Sequence, residues 1–504
     1  MNVRQALLLG VLAAAYVIVL TYFAPLPLQD FPNHLARAVV MADLIFHHGR
    51  EFGSAFSFQL QLAPYILGDL VLAGAVEVLG AARAGALWCG FAFLSLPFAL
   101  ALYLRALRVR ADAEFLLLAL SLYFATDAFF VLGFLSFRFA VAFVLIALAF
   151  VEALRREFSM RRYAGFALIV VAGYLVHVTV IIFIAAAVAI SALVRLRSRT
   201  SSQQREALLL APVIIVLGWH FLGASRYHEA SDLVSEVYAW ETPLFKTVNL
   251  AWDFRRYSLR WDALMGALVI ASLLSFRRPN LRALLNPATI ELWALAATFL
   301  GIYLVLPYTY AQAAFIDVRA LALLPIFVIL AFVATPETGS GSSAARPATL
   351  VLASALALAN LGYLAHEFDK LGKWLRPYRA LMASVPQGTT VLPVYTAAKI
   401  GATRPLLHVA EFLVIDRSAI TPYLFTGDTG APMTYFRYRH RPYAPDEEWY
   451  TRHLDAVDWG QVSADYQSLL VMKPFDFARI SVHPAEITSN SVASLLSLPQ
   501  PPPH

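Results

Sequence analysis

The chain alternates long apolar runs with short polar and basic stretches. A helix that crosses a bilayer needs about 20 apolar residues, so the pattern predicts a bundle of transmembrane helices. The first run is interpreted as an uncleaved helix, because no small-residue cleavage site follows it. Eleven runs are predicted spans: Ala6–Phe23, Ala84–Leu104, Ala113–Ala125, Phe134–Val151, Tyr163–Val176, Val178–Val194, Ala207–Leu222, Trp261–Phe276, Ile290–Leu306, Ala320–Val333 and Ala348–Leu364.

The positions of the basic clusters between the apolar runs determine the predicted orientation in the membrane. The apolar segment Leu62–Leu79 also carries Asp69 and Glu77, and it is expected not to cross the membrane. With that segment outside and the amino terminus inside, every basic cluster falls on the cytoplasmic side, as the positive-inside rule requires. These clusters are Arg105/Arg108/Arg110, Arg155/Arg156/Arg161/Arg162, Arg195/Arg197/Arg199/Arg205 and Arg277/Arg278/Arg282. The carboxyl-terminal tail is therefore predicted to be extracytoplasmic.

The amino-acid composition excludes several classes of protein. Of the 504 residues, 60% are hydrophobic and 14% charged, and the mean hydropathy is +0.65. A soluble chain is about half apolar and about a quarter charged, so a soluble enzyme, a disordered chain and a nucleic-acid-binding module are excluded. The net charge is +6. Because the basic residues lie in short loops between apolar runs, this charge indicates the orientation in the membrane and not an acidic binding partner. Cys89 is the single cysteine, so no intrachain disulfide can form.

Two domains are predicted: a transmembrane domain, 1–364, whose first external loop, 24–83, carries surface helices, and a small extracytoplasmic α/β domain, 365–504. The second domain mixes helical and strand-like stretches. The predicted helices are Lys370–Met382 and Pro445–Leu454, and the predicted strands are Thr390–Tyr395, Leu406–Val414 and Ser468–Met472. Pro499–His504 is expected to be disordered, and Thr338–Ala345 to be a flexible cytoplasmic loop.

The most informative polar segment directly follows the first helix, at Pro27–Arg37. Asp30 precedes apolar residues at helical spacing, which predicts an amphipathic helix on the membrane surface. His34 and Arg37 are three residues apart and share one face of that helix. The alternative is that Asp30 or Asn33 only caps the helix while the charges face water.

Other polar groups lie at the predicted outer ends of the spans. Asp127 and Arg138 belong to adjacent spans, so they either line a cavity or form an ion pair. His177 is expected at an outer hairpin, as a ligand-binding or a hydrogen-bonded interfacial residue. Arg319 suits a phosphate or anchors a headgroup, whereas His408 is expected to be structural. We expect a cavity at the outer boundary, lined by residues of Asp30–Arg37, Asp127, His177 and Tyr308–Arg319, including Asp317.

At these residues the chain resembles the GT-C superfamily of integral-membrane glycosyltransferases. Asp30 and the helix after it resemble the acidic motif of the first external loop in that superfamily, and Asp127 resembles a second acidic residue after the third span. The stretch Arg319-Ala-Leu-Ala-Leu-Leu-Pro325 resembles a motif of a late span. The resemblance implies a GT-C-like fold of about 11 transmembrane helices.

The same resemblance implies transfer of a sugar from a polyprenyl-phosphate donor to a glycan, lipid or protein acceptor, at the extracytoplasmic face of a bacterial inner or plasma membrane. Asp30 would be the general base, and Arg319 with Arg138 would hold the phosphate. Gln29 stands where many members carry a second acidic residue, so metal use is left open. The remaining predicted substrate-binding residues are Asn33, His34, Arg37, Asp127, His177, Tyr308 and Asp317. Two other readings are a transporter or flippase and a non-catalytic envelope scaffold.

Overall fold

The computed structural model describes residues 3–228, 239–276, 287–309, 314–334, 345–395, 400, 403–429, 433–445, 453–475 and 480–499. The chain forms two compact units. The first comprises Met1–Val19, Cys89–Phe130 and Leu135–Tyr363, and the second comprises Leu20–Trp88, Val131–Phe134 and Leu364–His504. The second unit thus combines the first loop with the tail, whereas the sequence predicts that loop as part of the transmembrane domain.

Long apolar helices build the first unit. In chain order the helices up to the middle of the chain are α1 (Val3–Tyr22), α2 (Phe31–Phe46), α3 (Ile66–Leu79), α4 (Ala81–Leu107), α5 (Ala111–Phe124), α6 (Ala128–Val131), α7 (Leu135–Arg156), α8 (Met160–Val176), α9 (Thr179–Arg197) and α10 (Gln203–His228). The later ones are α11 (Pro243–Asn249), α12 (Leu259–Phe276), α13 (Pro287–Val305), α14 (Leu324–Ala334), α15 (Ala345–Met382), α16 (Phe412–Arg417) and α17 (Trp459–Asp465). All but α2, α3, α16 and α17 lie wholly or partly in the first unit.

The chain is an integral membrane protein. Within the described residues, eight helical segments are long and apolar enough to cross a membrane, and two shorter apolar ones cover Thr289–Val305 and Val318–Val333. Each of the predicted spans falls on helical structure. The helix α8 has 17 residues and α3 has 14, and neither is among the eight. The helix α8 ends before His177 and α9 begins at Thr179, so a helix boundary lies where the sequence predicted an outer hairpin.

A buried ion network ties four helices of the first unit together near one end of α7. Arg155 of α7 donates to Glu206 of α10 at 2.7 Å, while Arg195 of α9 donates to Glu152 of α7 at 2.8 Å and to Glu291 of α13 at 2.9 Å. Arg138 lies at the other end of α7, about 25 Å away at 1.5 Å per residue. Because each charge has a partner, the network stabilises the packing of these helices.

In the second unit, α2 packs against α3 and α16. The strand β1 (Phe56–Phe58), from the first loop, pairs antiparallel with β3 (Phe436–Tyr438), from the tail. The loop after α2 is fixed by Asp43, whose carboxylate accepts from the backbone N–H of Phe52 at 2.9 Å. The first loop and the tail therefore share a two-stranded sheet and a helical layer.

The tail also forms a four-stranded sheet with the order β2 (Val391–Val394), β4 (Ser468–Met472), β6 (Ala493–Ser497) and β5 (Ala485–Ser489). The pair β2–β4 is parallel, and the other pairs are antiparallel. Both strands of the parallel pair are fully buried, which explains why they read as continuous apolar runs. Leu392, Leu470 and Leu495 of the sheet belong to one core with Leu413.

The predicted elements of the tail had mixed outcomes. The strands at Thr390–Tyr395 and Ser468–Met472 are confirmed as β2 and β4. The strand predicted at Leu406–Val414 is wrong, because a 3-10 turn at Val409–Glu411 leads into α16 there. Its apolar residues are buried in the core, and burial alone does not distinguish a short helix from a strand. Most of Pro445–Leu454, Thr338–Ala345 and Pro499–His504 lies outside the described residues.

Candidate active site

Asp30 stands at the N-cap position of α2 in the second unit, and its side chain makes no capping hydrogen bond. Its backbone N–H donates to the carbonyl of Leu132 at 3.0 Å. Gly133 has a φ of +79°, and a Cβ there would lie 2.6 Å from the backbone nitrogen of Phe31. A glycine is therefore required where residues 131–134 approach the start of α2. The backbone fixes Asp30, and its carboxylate is not used to cap the helix.

The partner of the Asp30 carboxylate comes from the tail. Nε2 of His408 lies 3.4 Å from Oδ1 of Asp30, and both side chains are nearly buried. The imidazoles of His408 and His34 each meet the ring of Phe425 edge to face, with centroid distances of 5.0 and 5.5 Å. The unit thus places two imidazoles against a single aromatic ring, and one of them lies beside the Asp30 carboxylate.

Asn33 docks the tail onto α2. Its amide nitrogen donates to the carbonyl of Tyr423 at 2.7 Å, and its amide oxygen accepts from the backbone N–H of Phe425 at 2.7 Å. This two-sided contact orders the segment that carries Phe425. Neither Asp30 nor Asn33 caps α2, so the capping alternative is wrong for both residues.

Arg37 is fully buried, so the alternative of a water-facing charge is wrong for it. Its guanidinium forms a two-pronged ion pair with Asp69 of α3, at 2.9 and 2.7 Å, and Tyr435 donates to the same carboxylate at 2.5 Å. This geometry stabilises both charges in a dry environment. Asp69 and Arg37 therefore join α2, α3 and the tail, which is a structural role.

His34 receives a hydrogen bond from Arg37 at its Nδ1, at 2.9 Å. Because arginine only donates, Nδ1 carries no proton. Exclusion of water lowers the pKa of His34 well below its usual value, and the charge of Arg37 and the neighbouring His408 imidazole lower that pKa further. His34 is thus a neutral imidazole at physiological pH.

In the first unit, Asp127 and Arg138 form the ion pair that the sequence left as one alternative. Nη1 of Arg138 lies 2.5 Å from Oδ2 of Asp127, and both side chains are buried. Nη2 of Arg138 donates to the carbonyl of Phe124 at 3.0 Å, and Oδ1 of Asp127 accepts from the N–H of Phe130 at 3.1 Å. The pair ties α5, α6 and α7 together.

His177 and Arg319 both lie near one aromatic residue of the first unit. The ring of Phe137 meets His177 edge to face at 5.5 Å, and the guanidinium of Arg319 lies 5.9 Å from the centre of that ring. Nδ1 of His177 accepts from the N–H of Thr179 at 3.2 Å, at the start of α9. Arg319 is partly exposed, which suits a ligand-binding cation.

Asp317 and Tyr308 have separate surroundings. Asp317 is fully buried, pairs with Lys246 at 2.9 Å and accepts from the N–H of Val318 at 2.8 Å. Its carboxylate therefore fixes α11 and the start of a 3-10 turn. Tyr308 packs edge to face on Phe315 at 5.2 Å.

His408 is the residue whose place the sequence did not predict. It was expected to be structural, and no local pattern connects it with Asp30. Asp69 was noted only as a charge in an ambiguous segment, and its pairing with Arg37 follows from the packing of α3 on α2. Within the described residues, no group of three or more His, Cys, Asp or Glu side chains is arranged to hold a metal ion.

Comparison with known proteins identifies the fold. The chain is similar to the aminoarabinose transferase ArnT from Cupriavidus metallidurans in the apo state, with a TM-score of 0.58, 12% identity and coverage of 97% of each chain. The same protein bound to undecaprenyl phosphate matches with a TM-score of 0.55 and 12% identity, over 98% of this chain and 97% of that one. The arabinofuranosyltransferase AftD from Mycobacteria matches with a TM-score of 0.46 and 13% identity, over 99% of this chain and 42% of that one.

No family model matches the sequence, and no curated protein matches it either. The GT-C-like fold predicted from the sequence is confirmed by the likeness to ArnT across nearly the whole chain.

Proposed function

We propose that this protein is a membrane glycosyltransferase that moves a sugar from a polyprenyl-phosphate donor to an acceptor at the extracytoplasmic face. The observation that carries the proposal is the ArnT-like fold over 97% of both chains. One of the two similar ArnT structures is bound to undecaprenyl phosphate. The acceptor is a glycan, a lipid or a protein, and the bilayer presents the donor.

Asp30 is the general base in this proposal. It accepts the proton of an acceptor hydroxyl while the oxygen attacks the anomeric carbon, and the bond from that carbon to the phosphate oxygen breaks. The polyprenyl phosphate leaves with the electron pair of that bond. Asp30 suits the role because its carboxylate does not cap α2, and a positioned base of this kind contributes about 10²–10⁴-fold.

His408 is proposed as the positioning residue for Asp30, from the 3.4 Å approach of its Nε2. Asn33 and the Arg37–Asp69 pair hold the helix and the tail segment on which Asp30, His34 and His408 depend. These residues therefore contribute to substrate binding indirectly, because they position the helix and the tail segment that carry Asp30, His34 and His408.

Arg319 is proposed to hold the phosphate, because its guanidinium is partly exposed and can bind phosphate oxygens with two donors. Arg138 is less suited, since Asp127 and a backbone carbonyl occupy two of its nitrogens. His177 and Tyr308 are proposed to line the same unit's binding surface, where Phe137 and Phe315 orient them.

The protein is proposed to lie in a bacterial inner membrane. Its proposed orientation, with a cytoplasmic amino terminus and an external tail, follows from the basic clusters. Reporter fusions after residue 365 should report an external location, and fusions within residues 338–345 a cytoplasmic one. The reverse pattern would place Asp30 on the cytoplasmic side and overturn the proposal.

The activity is tested with purified protein in proteoliposomes. Lipid extracts of the preparation are analysed by mass spectrometry for a co-purifying polyprenyl-phosphate sugar, and that donor is then supplied with candidate acceptors. Release of polyprenyl phosphate together with acceptor glycosylation is the expected result. Movement of the intact donor between leaflets without cleavage would favour a flippase, and neither binding nor turnover would favour a scaffold.

A further inference from the structure

A five-residue turn between α11 and α12 of the first unit carries an unusual number of unused polar atoms. Within the part of the chain that the structure describes, Nε1 of Trp252, Oδ1 of Asp253 and Nη2 of Arg256 are buried and have no hydrogen-bond partner. The three residues are 6%, 4% and 1% exposed. A folded protein satisfies nearly all of its buried polar groups, so three exceptions on one turn require an explanation.

The rest of this turn is firmly held, so the unused atoms are not a sign of loose packing. The backbone N–H of Arg256 donates to Asp262 at 2.7 Å. Its guanidinium lies 4.9 Å from the ring of Tyr123 and 4.8 Å from that of Tyr363, and it donates to Asn360. The indole of Trp252 packs on Phe315 at 5.3 Å. The turn therefore holds these unused donors and acceptors in fixed positions.

The turn adjoins the predicted chemistry of the first unit. Burial raises the pKa of Asp253 well above the usual carboxyl range, the charge of Asp127 raises it further, and Arg138 opposes both. Phe254 of the same turn packs on Phe124 with a centroid distance of 5.7 Å, and the carbonyl of Phe124 accepts from Arg138. The turn therefore lies beside the Asp127–Arg138 pair. Through Phe315, Trp252 also shares a contact with Tyr308.

The chemistry of the three atoms selects a type of ligand. The indole N–H of Trp252 and the guanidinium N–H of Arg256 are donors, and the carboxyl of Asp253 is an acceptor or, when protonated, a further donor. Arg256 and Asp262 balance each other's charge, as do Arg138 and Asp127. A site of this kind favours an uncharged molecule with several neighbouring hydroxyl groups over an anion.

We propose that the turn Trp252–Arg256 binds the hydroxyl groups of the transferred sugar and distinguishes the sugar-bearing donor from the bare carrier lipid. This inference rests on the proposed function, because it assigns the sugar subsite of that reaction. A mismatched sugar leaves these buried groups unpaired, and such sites reject ligands that lack the matching hydroxyl.

Binding to the purified wild-type protein in detergent tests the inference. The probes are undecaprenyl phosphate and undecaprenyl phosphate esterified with glucose, mannose or arabinose. At least one sugar-bearing probe should bind more tightly than the bare carrier. Trp252→Phe and Asp253→Asn should each weaken that probe about three- to tenfold, the loss of one hydrogen bond, and leave the bare carrier unchanged.

Stability measurements separate a ligand role from a structural one. Nε1 of Trp252 and Oδ1 of Asp253 have no hydrogen-bond partner among the described residues. The Trp252→Phe and Asp253→Asn proteins should therefore unfold at the wild-type temperature or above it. The matched control is Trp293→Phe in α13, which removes another buried indole N–H that has no partner among the described residues. It should change neither the binding of any probe nor the discrimination between them.

The outcomes distinguish this inference from the proposed function. If both variants keep the wild-type preference for a sugar-bearing probe, the turn is not the sugar subsite and the glycosyltransferase proposal stands. If the wild type binds the bare carrier as tightly as every sugar-bearing probe, the inference is overturned, whatever turnover shows. If the wild type binds none of the probes, both proposals fail.

Discussion

Oδ1 of Asp30 and Nε2 of His408 lie 3.4 Å apart, joining the start of α2 to the carboxyl-terminal tail. Both residues belong to the second compact unit, together with the first loop and the tail sheet. The tail therefore supplies a direct neighbour of the proposed base. The tail thus contacts both the first loop and the residue proposed as the base.

Asp30→Asn should lower sugar transfer by about 10²–10⁴-fold, since an amide cannot accept the acceptor proton. Folding should survive, because the Asp30 carboxylate does not cap α2. Turnover in proteoliposomes and the unfolding temperature are measured together. The matched control is Asp43→Asn on the same helix, which weakens the contacts to Glu51 and Phe52 and should cost about 1 kcal/mol of stability with normal turnover per folded molecule. Normal turnover by a stable Asp30→Asn protein would eliminate Asp30 as the base.

His408→Gln should slow transfer less than Asp30→Asn does, because glutamine keeps a donor but holds the carboxylate less firmly. If His408 acts through Asp30, the two substitutions are strongly non-additive. The double variant should then be no slower than Asp30→Asn alone. Rates for the wild type, both single variants and the double variant form the test, and additive losses would show that His408 acts independently.

Arg319→Lys keeps the positive charge but removes the two-pronged donor geometry. We expect the KM for the polyprenyl-phosphate donor to rise about tenfold, for the loss of about one charge-assisted hydrogen bond, with little change in the unfolding temperature. Arg138→Lys is the comparison variant, since it weakens a buried pair with Asp127 and should lower stability instead. A raised KM for Arg138→Lys with an unchanged KM for Arg319→Lys would reverse the assigned roles.

Asp69→Asn should destabilise the protein by about 3–5 kcal/mol, because it leaves the buried Arg37 without its counter-charge. The matched control is Glu77→Gln on the same helix. Glu77 pairs with His47 at 2.9 Å, and that pair is substantially exposed, so its loss should cost about 0–1 kcal/mol. Thermal unfolding of the two variants measures the contrast. Equal, small losses would mean that the Arg37–Asp69 pair does not hold the unit together.

The lowered pKa of His34 should make the stability of the folded protein depend on pH. Its pKa in the folded protein lies well below its usual value of 6.5, so below pH 6.5 the unfolded chain binds a proton that the folded protein does not. The contribution of His34 is therefore complete above pH 6.5 and is lost as the pH falls below it. His34→Gln should show a smaller drop in unfolding temperature between pH 7 and pH 5 than the wild type. Parallel curves would contradict a neutral buried His34.

The sequence by itself determined the membrane class, the position of the apolar helices and the acidic residue that opens α2. These features depend on local rules: an apolar run of sufficient length must cross or be buried, and helical spacing is read directly from neighbouring residues. The parallel strands β2 and β4 were also predictable, because both of their faces are apolar.

Tertiary structure alone decided which polar residues meet. The sequence could not match Arg37 with Asp69 and Tyr435, nor Asp30 with His408. An ion pair or a hydrogen bond between distant segments does not change the hydrophobic periodicity of either segment. The same limit applies to Leu406–Val414, where burial in the tail core permitted an apolar helix that the pattern alone could not separate from a strand. Long-range packing fixed these contacts, since the free energy of burying a charge depends on which partner the fold brings beside it.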